Sequence, residues 1–245
     1  VLSKGEAGVR PLVTRSTWTR LLAKAIVGKE QPALARPLAP LQCGVGMPGG
    51  AEFVAHSVRH MLRAQPTWAL AALDTANAFG TVSRQVIRRQ IVGAAAPHEL
   101  TLAYFDRFCA PVFTVRQGAT FEARVAEGVI QGDPLSPLLF ALAIQPALEA
   151  AASAMTCPTP SAFQPRIFAY LDDVCLVGPP AVVAAATHSY SQRAGEAGLH
   201  LNATKTQLTS GSMTSSEEPP TMLTDLATQI GGRIAFPFVE LLGSS

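Results

Sequence analysis

The chain has 245 residues, 48% of them hydrophobic and 15% charged. That length buries a full core without disulfide or metal staples, and the apolar fraction excludes a wholly disordered chain. The net charge of +2 hides an asymmetry: residues 1–124 hold 12 Arg and 3 Lys against 7 acids, a balance of +8, while residues 125–245 hold 3 Arg and 1 Lys against 10 acids, a balance of −6. Arginine forks suit phosphate, so the basic half reads either as ordinary solvated surface or as a face for an anionic partner.

Cys43, Cys109, Cys157 and Cys175 form no C-x-x-C pair, which argues against a zinc knuckle or a disulfide framework and for reduced, intracellular thiols. The longest apolar stretch, Leu138 to Ile144, stops at Gln145-Pro146, well short of the roughly 20 residues of a membrane span. The chain opens on Val1 with no signal peptide, and is expected to be a piece of a longer polypeptide.

Val9 to Thr14 is β-branched and predicts a strand. Ser16 stands where an N-cap belongs, before Leu21, Leu22, Ala25 and Ile26 at helical spacing, and a connector with Pro32, Pro37 and Pro40 follows. Residues 51–64 predict a helix with Phe53, Val54, Val58, Met61 and Leu62 as its apolar stripe. Trp68 to Leu73 predicts a buried strand ending at Asp74. Helices are expected over 83–92 and 98–109, then a hairpin of 111–117 with 120–126, then a long apolar helix over 135–152. Ile167–Tyr170 and Val174–Val177 read as two short strands around an acidic turn. A helix near 181–196, a strand near 199–209, a polar loop over 210–220 and a hairpin near 230–242 complete the chain. Without regular βαβ spacing, the interleaving favours α+β over a doubly wound sheet.

Three acids carry the chemistry. Asp74 ends one apolar run, and Asp172-Asp173 interrupt another. Ionised carboxylates beside a core strand are costly unless paired, hydrogen-bonded or bound to a metal, and adjacent acids repel. Divalent cations relieve both costs, and a strand-end Asp facing a hairpin Asp suits two Mg²⁺ ions about 3.5–4 Å apart, the arrangement for in-line phosphoryl displacement. A plain polar β-turn is the other reading of Asp172-Asp173.

AYLDDVCLV resembles the tyrosine-x-Asp-Asp hairpin of reverse transcriptases. GVIQGDPLSPLLFALAI is similar to their Gln-Gly-x-Pro-x-Ser-Pro segment, and ALDTANAFGTVSR to the first-aspartate segment of the non-LTR retrotransposon and retron-like branch. GLHLNATKT resembles the segment with the family's lysine, and KGEAGVRPLVTRSTWTRLLAK and LQCGVGMPGGAE resemble the fingers segments. All six occur in the family's order over nearly the whole chain.

The resemblance implies the fingers and palm of a right-hand polymerase, with an antiparallel palm sheet, packed helices and no thumb: fingers over 1–66, palm over 67–245 with a fingers insertion near 83–126. It implies RNA-directed DNA polymerase activity with an RNA template, a DNA primer and deoxynucleoside triphosphates, no membrane, and two Mg²⁺ ions for which Mn²⁺ can substitute. Asp74 and Asp172 would hold the metals with the Thr75 carbonyl, and Asp173 would support them. Phe79 would lie under the sugar and exclude a 2′-hydroxyl, the alternative being a plain core aromatic. Gln131 and Gly132 would face the templating base and incoming nucleotide, the alternative being ordinary helix-entry chemistry. Lys205 would protonate or neutralise pyrophosphate. Lys4 and Arg10 would grip the triphosphate, with Arg20 a further candidate. Leu171 departs from the Ala usual in the branch, and Gly80 from its Asn.

Two other patterns are set aside. Gly44 to Gly49 satisfies G-x-G-x-x-G, but lacks a clear preceding buried strand and is interrupted by Pro48. Glu52, His56 and His60 share a helix face and read as a solvated stripe rather than metal ligands. Two competing functions remain open. One is a viral-type RNA-dependent RNA polymerase, which usually carries Gly-Asp-Asp and a Ser-Gly helix entry. The other is a non-catalytic nucleic-acid-binding remnant.

Overall fold

A helix forms where apolar residues recur every three or four positions, and a strand where a short β-branched or apolar run is bounded by turns. The computed structural model describes residues 2–3, 9–10, 15–109, 112–117, 119–124, 126–156, 163–213 and 219–235, with backbone alone for 2–3, 9–10, 112–117 and 119–124. The chain divides into two units, residues 1–38 with 77–143, and residues 39–76 with 144–245.

In the first unit, β1 (Leu2–Ser3) pairs antiparallel with β2 (Val9–Arg10). Helix α1 (Thr17–Leu34) starts under the Ser16 hydroxyl, which accepts from the Thr19 N–H. It buries Ala23, Ile26, Glu30 and Leu34, and leaves Leu21 and Leu22 exposed. The inward stripe is therefore shifted from the expected one, and the helix continues through Pro32, which costs one hydrogen bond close to its end. A 3-10 turn at Arg36–Leu38 follows.

The short helix α3 (Ala78–Thr81) leads to α4 (Arg84–Val92), capped by Ser83, and α5 (Glu99–Phe108) packs on both α1 and α4. His98 supplies no side-chain cap to α5. Instead the buried Glu30 carboxylate reaches across from α1 and accepts from the N–H groups of Leu100 and Thr101 at 3.0 and 2.8 Å. An anion at a helix N-terminus satisfies donors the helix cannot pair itself. Strands β4 (Val112–Gln117) and β5 (Ala119–Arg124) form the expected hairpin.

Helix α6 (Ser136–Ala154) is apolar and long enough for a membrane span by length and composition, but 61% of that window is buried within the fold, as for a core helix.

The second unit is built on a five-stranded sheet with β3 (Ala69–Leu73) at its centre. The hairpin of β6 (Arg166–Tyr170) and β7 (Asp173–Gly178) lies on one side of it, β7 adjacent; β8 (Gln207–Ser210) and then β9 (Arg233–Ile234) lie on the other. Helix α2 (Gly50–Ala64) lays Val54, Val58 and Met61 into a core with Cys43, Trp68, Leu70, Phe168, Cys175 and Val177. Helix α7 (Pro180–Glu196) packs on β7 and β3.

The sheet departs from the expectation at its β8–β9 side. Four strands are antiparallel neighbours, but β9 runs parallel to β8. The cause is α8 (Thr221–Ile230), a helix the sequence reading missed, which supplies the crossover that parallel strands require. Residues 236–242 of the expected terminal hairpin lie outside the described residues. The strand expected near 199–209 is also shorter, because 203–205 form a turn before β8.

The architecture is mixed α+β: a multi-stranded sheet with packed helices.

Candidate active site

The last rung of the β3–β7 ladder pairs Leu73 with Val174. The next residue on each strand is an acid, Asp74 on one and Asp173 on the other, and neighbouring strands run about 4.8 Å apart. Tyr170 pairs with Asp173, so Leu171 and Asp172 are the two residues of the tight turn joining β6 to β7. The three acids singled out in the sequence therefore gather at one end of the sheet. Leu171 has φ +58°, the left-handed region where glycine is usual at the first position of a two-residue hairpin turn.

Asp74 is held by its backbone. Its carbonyl accepts from the Asn202 N–H at 2.8 Å, and its N–H donates to the Thr206 hydroxyl at 3.4 Å. Both partners flank the exposed turn carrying Lys205, so Lys205 belongs to the segment that grips Asp74, in a turn rather than in the expected strand. Thr75 is buried, bridges to Leu201, and hydrogen-bonds the Tyr190 hydroxyl of α7. Burial pushes the Tyr190 hydroxyl up to about 12; the Thr75 hydrogen bond pulls it back, and the nearby Asp172 charge raises it. Tyr190 thus stays a neutral hydroxyl beside both residues.

A family model described as reverse transcriptase (RNA-dependent DNA polymerase) matches residues 2–224. The chain belongs to the reverse transcriptase family. It is similar to the retrotransposable element SLACS 132 kDa protein of Trypanosoma brucei gambiense, at 26% identity over 213 residues. That match covers 85% of this chain but 17% of the relative, so the chain spans about a sixth of that protein's length. Among solved structures it resembles a Candida tropicalis apo telomerase truncated from its C-terminal domain, with TM-score 0.54, 12% identity, and coverage of 81% of this chain and 40% of that one. A second Candida tropicalis apo telomerase structure gives TM-score 0.50 and 11% identity, over 84% and 39% of the two chains. At these identities the likeness is one of fold.

The remaining motif residues of this reverse transcriptase chain fall in the first unit. The Asp133 N–H donates to the Ile130 carbonyl at 3.1 Å, closing a β-turn with Gln131 and Gly132 at its centre. Gly132 has φ +99°, which the third position of a type II turn requires and side chains other than Gly or Asn resist. The Phe79 carbonyl accepts from the Val129 N–H at 2.7 Å, so Phe79 is tied to the loop segment leading into that turn. Its ring stacks on Phe140 at 4.6 Å and 11°. Asp133, the residue after Gly132, is buried and accepts from the Leu135 N–H at 3.0 Å and the Tyr104 hydroxyl at 2.7 Å.

Lys4 lies outside the described residues. Arg10 lies in β2 opposite Leu2, with its side chain outside them. Arg20 is exposed on α1, and Glu52, His56 and His60 are exposed on α2. Cys43, Cys109 and Cys175 are buried free thiols, and Cys157 lies outside the described residues.

Sequence reasoning passed over Asn202, Thr206 and Tyr190, although the first two lie inside a quoted motif. It also passed over Gln42, which bonds to the β6–β7 turn across 129 residues.

Proposed function

We propose that this chain is the nucleotide-transfer core of a reverse transcriptase of the non-LTR retrotransposon type, extending a DNA primer on an RNA template with deoxynucleotides. The observation that carries this reading is that the β3–β7 ladder runs out at Asp74 on one strand and Asp173 on the other, with Asp172 in the adjoining turn. Family membership gives it context.

The donor chemistry fits a hard divalent cation. Mg²⁺ is usually held by one or two carboxylates, with water and substrate phosphates completing its shell, so a set of two aspartates suffices. Asp74 and Asp172 would hold it with the Thr75 carbonyl, and Asp173 would support them. Bound there, two Mg²⁺ or Mn²⁺ ions would supply the Lewis acidity that activates a primer 3′-hydroxyl and neutralises the leaving pyrophosphate. Lys205 would give charge or a proton to that pyrophosphate, and Lys4 and Arg10 would grip the triphosphate. Phe79 would exclude a ribose 2′-hydroxyl, and the Gln131–Gly132 turn would lie against the template base. In this reading residues 1–66 and 83–126 act as fingers and the five-stranded sheet belongs to the palm.

One observation favours a second reading. Among the described residues, no group of three or more His, Cys, Asp or Glu side chains gathers as a metal cluster. Taken alone, that favours a reverse-transcriptase-derived module that binds nucleic acid without catalysis.

Template–primer extension by the natural full-length polypeptide carrying this chain, with Mg²⁺ or Mn²⁺, separates the two. The catalytic reading expects extension that Asp172→Asn abolishes while primer–template binding survives. Binding of equal strength by parent and variant, with no extension by the parent, establishes the second reading.

A further inference from the structure

Leu171 holds a left-handed backbone conformation although it carries a β-carbon, and a residue of that kind keeps such a conformation only where its surroundings impose it. Both backbone polar groups of Leu171 are engaged by one side chain. The Leu171 N–H donates to Gln42 Oε1 at 2.8 Å, and Gln42 Nε2 donates back to the Leu171 carbonyl at 3.4 Å. The Gly44 N–H donates to the same Oε1 at 2.9 Å. Gln42 is 2% exposed, so water is not at hand to replace these bonds.

The main chain on either side reinforces the grip. The Cys43 N–H donates to the Ala169 carbonyl at 2.6 Å, and the Ala169 N–H to the Leu41 carbonyl at 2.8 Å. This aligns Gln42 parallel to β6 opposite Ala169, two residues before Leu171. Gly44 completes the fit, because a β-carbon there would stand 2.8 Å from the Leu171 nitrogen and 2.9 Å from its Cγ.

We infer that Gln42 is a positioning residue for the β6–β7 turn: its amide imposes the Leu171 backbone conformation and thereby sets where the next residue, Asp172, presents its carboxylate. The inference rests on the catalytic reading above. It concerns a residue that would act through the turn backbone rather than on substrate or cation. A glutamine that merely filled a buried site would stabilise the fold without governing the carboxylate.

The test compares wild type, Gln42→Met, Gln42→Glu and Asp172→Asn in the natural full-length polypeptide carrying this chain. Gln42→Met keeps length and loses all three bonds. Gln42→Glu keeps the acceptor and loses only the donor, and serves as the conservative variant if the methionine form does not fold. Two readouts are taken: hydrogen exchange at the Leu171 amide, and the Mn²⁺ concentration giving half-maximal primer extension.

In Gln42→Met, Leu171 exchange is expected to accelerate about tenfold with Ala72 and Cys175 unchanged, and the Mn²⁺ requirement to rise about 10–100-fold, as for partners that orient metal ligands. KM for primer–template stays within about twofold, and Gln42→Glu falls between. Unchanged Leu171 exchange, or accelerated exchange with a wild-type Mn²⁺ requirement, overturns the inference. Asp172→Asn tells the two failures apart. If it extends primer like wild type, the catalytic reading fails and this inference with it. If it is inactive while the Gln42 variants match wild type in both readouts, this inference alone fails.

Discussion

Nε of Arg15 lies 2.6 Å from Oδ2 of Asp133, with the Asp133 side chain wholly buried and that of Arg15 9% exposed. The Arg15 Nε–H is not aligned for a hydrogen bond, so the contact is an ion pair. The Arg15 guanidinium also donates to the Phe108 carbonyl at 2.5 Å, and Tyr104 donates to the same carboxylate oxygen. One buried charge pair thus ties α5 to the turn carrying Gln131 and Gly132.

Breaking one side of a buried pair leaves the other charge uncompensated, at a cost of about 3–5 kcal/mol. Asp133→Ala is expected to destabilise by that amount, and Asp133→Asn, whose single amide oxygen still accepts from the Leu135 N–H while its NH2 faces the Tyr104 hydroxyl, by less. Urea unfolding monitored by circular dichroism measures it, as a lower midpoint with unchanged slope. A loss below about 1 kcal/mol for Asp133→Ala would show that the pair is solvated in solution.

Two glycines in the same unit should respond in opposite ways. The atoms nearest a β-carbon on Gly80 would be those of the Asn77 amide, at 2.5–2.9 Å, a side-chain group that can rotate away where a backbone atom cannot. Gly80→Ala in α3 is therefore expected to be neutral or stabilising by up to about 1 kcal/mol, through helix propensity. A β-carbon on Gly128 would lie 2.5 Å from the Gly80 carbonyl oxygen, at φ +76°. Gly128→Ala should cost about 1–3 kcal/mol or more, since both backbone strain and a backbone clash oppose it. Thermal unfolding of the two variants checks the contrast. Equal effects would refute it.

Much of this is legible in the sequence. Helix α2 is read from apolar residues every three or four positions, and β3, β6 and β7 from short apolar runs with acids at one end. Helix α8 was overlooked although Leu223, Leu226 and Ile230 keep helical spacing between Pro220 and Gly231; the polar run before it masked the signal. The parallel pairing of β9 could not be read, because two residues carry no information on strand direction. Gln42 was beyond reach for a different reason. Its meaning lies in a partner 129 residues away, and a lone Gln has no local signature.

Buried hydroxyl and thiol groups give a pH prediction. Burial pushes Cys109 and Cys175 from 9.0 to about 12, and Tyr190 from 10.0 to about 12. Each is an acid whose folded value exceeds its unfolded one, so the folded state binds more protons in between. Stability is then unaffected by these groups below about pH 9 and falls as pH rises from about 9 towards 12, by up to about 1.4 kcal/mol per pH unit for each titrating group. Unfolding free energies between pH 8 and 11 test this, and a flat profile would contradict it. The same thiols should resist alkylation in the folded protein at pH 8, because little thiolate forms.

Phe79 can be tested for two roles at once. Its ring stacks on Phe140, so Phe79→Ala removes a packed aromatic and should cost about 2–4 kcal/mol, at the lower part of the range for a half-buried ring. If the ring also excludes a ribose 2′-hydroxyl, the same change should lower discrimination between deoxynucleotides and ribonucleotides, a single-group effect of about 10–200-fold. Phe79→Tyr keeps the stack and the bulk and should preserve both properties. The measurement is the ratio of kcat/KM for the two sugars in primer extension, alongside urea unfolding. A stability loss with unchanged sugar selectivity would leave Phe79 a core aromatic, and equal use of both sugars by the wild type would favour a ribonucleotide polymerase instead.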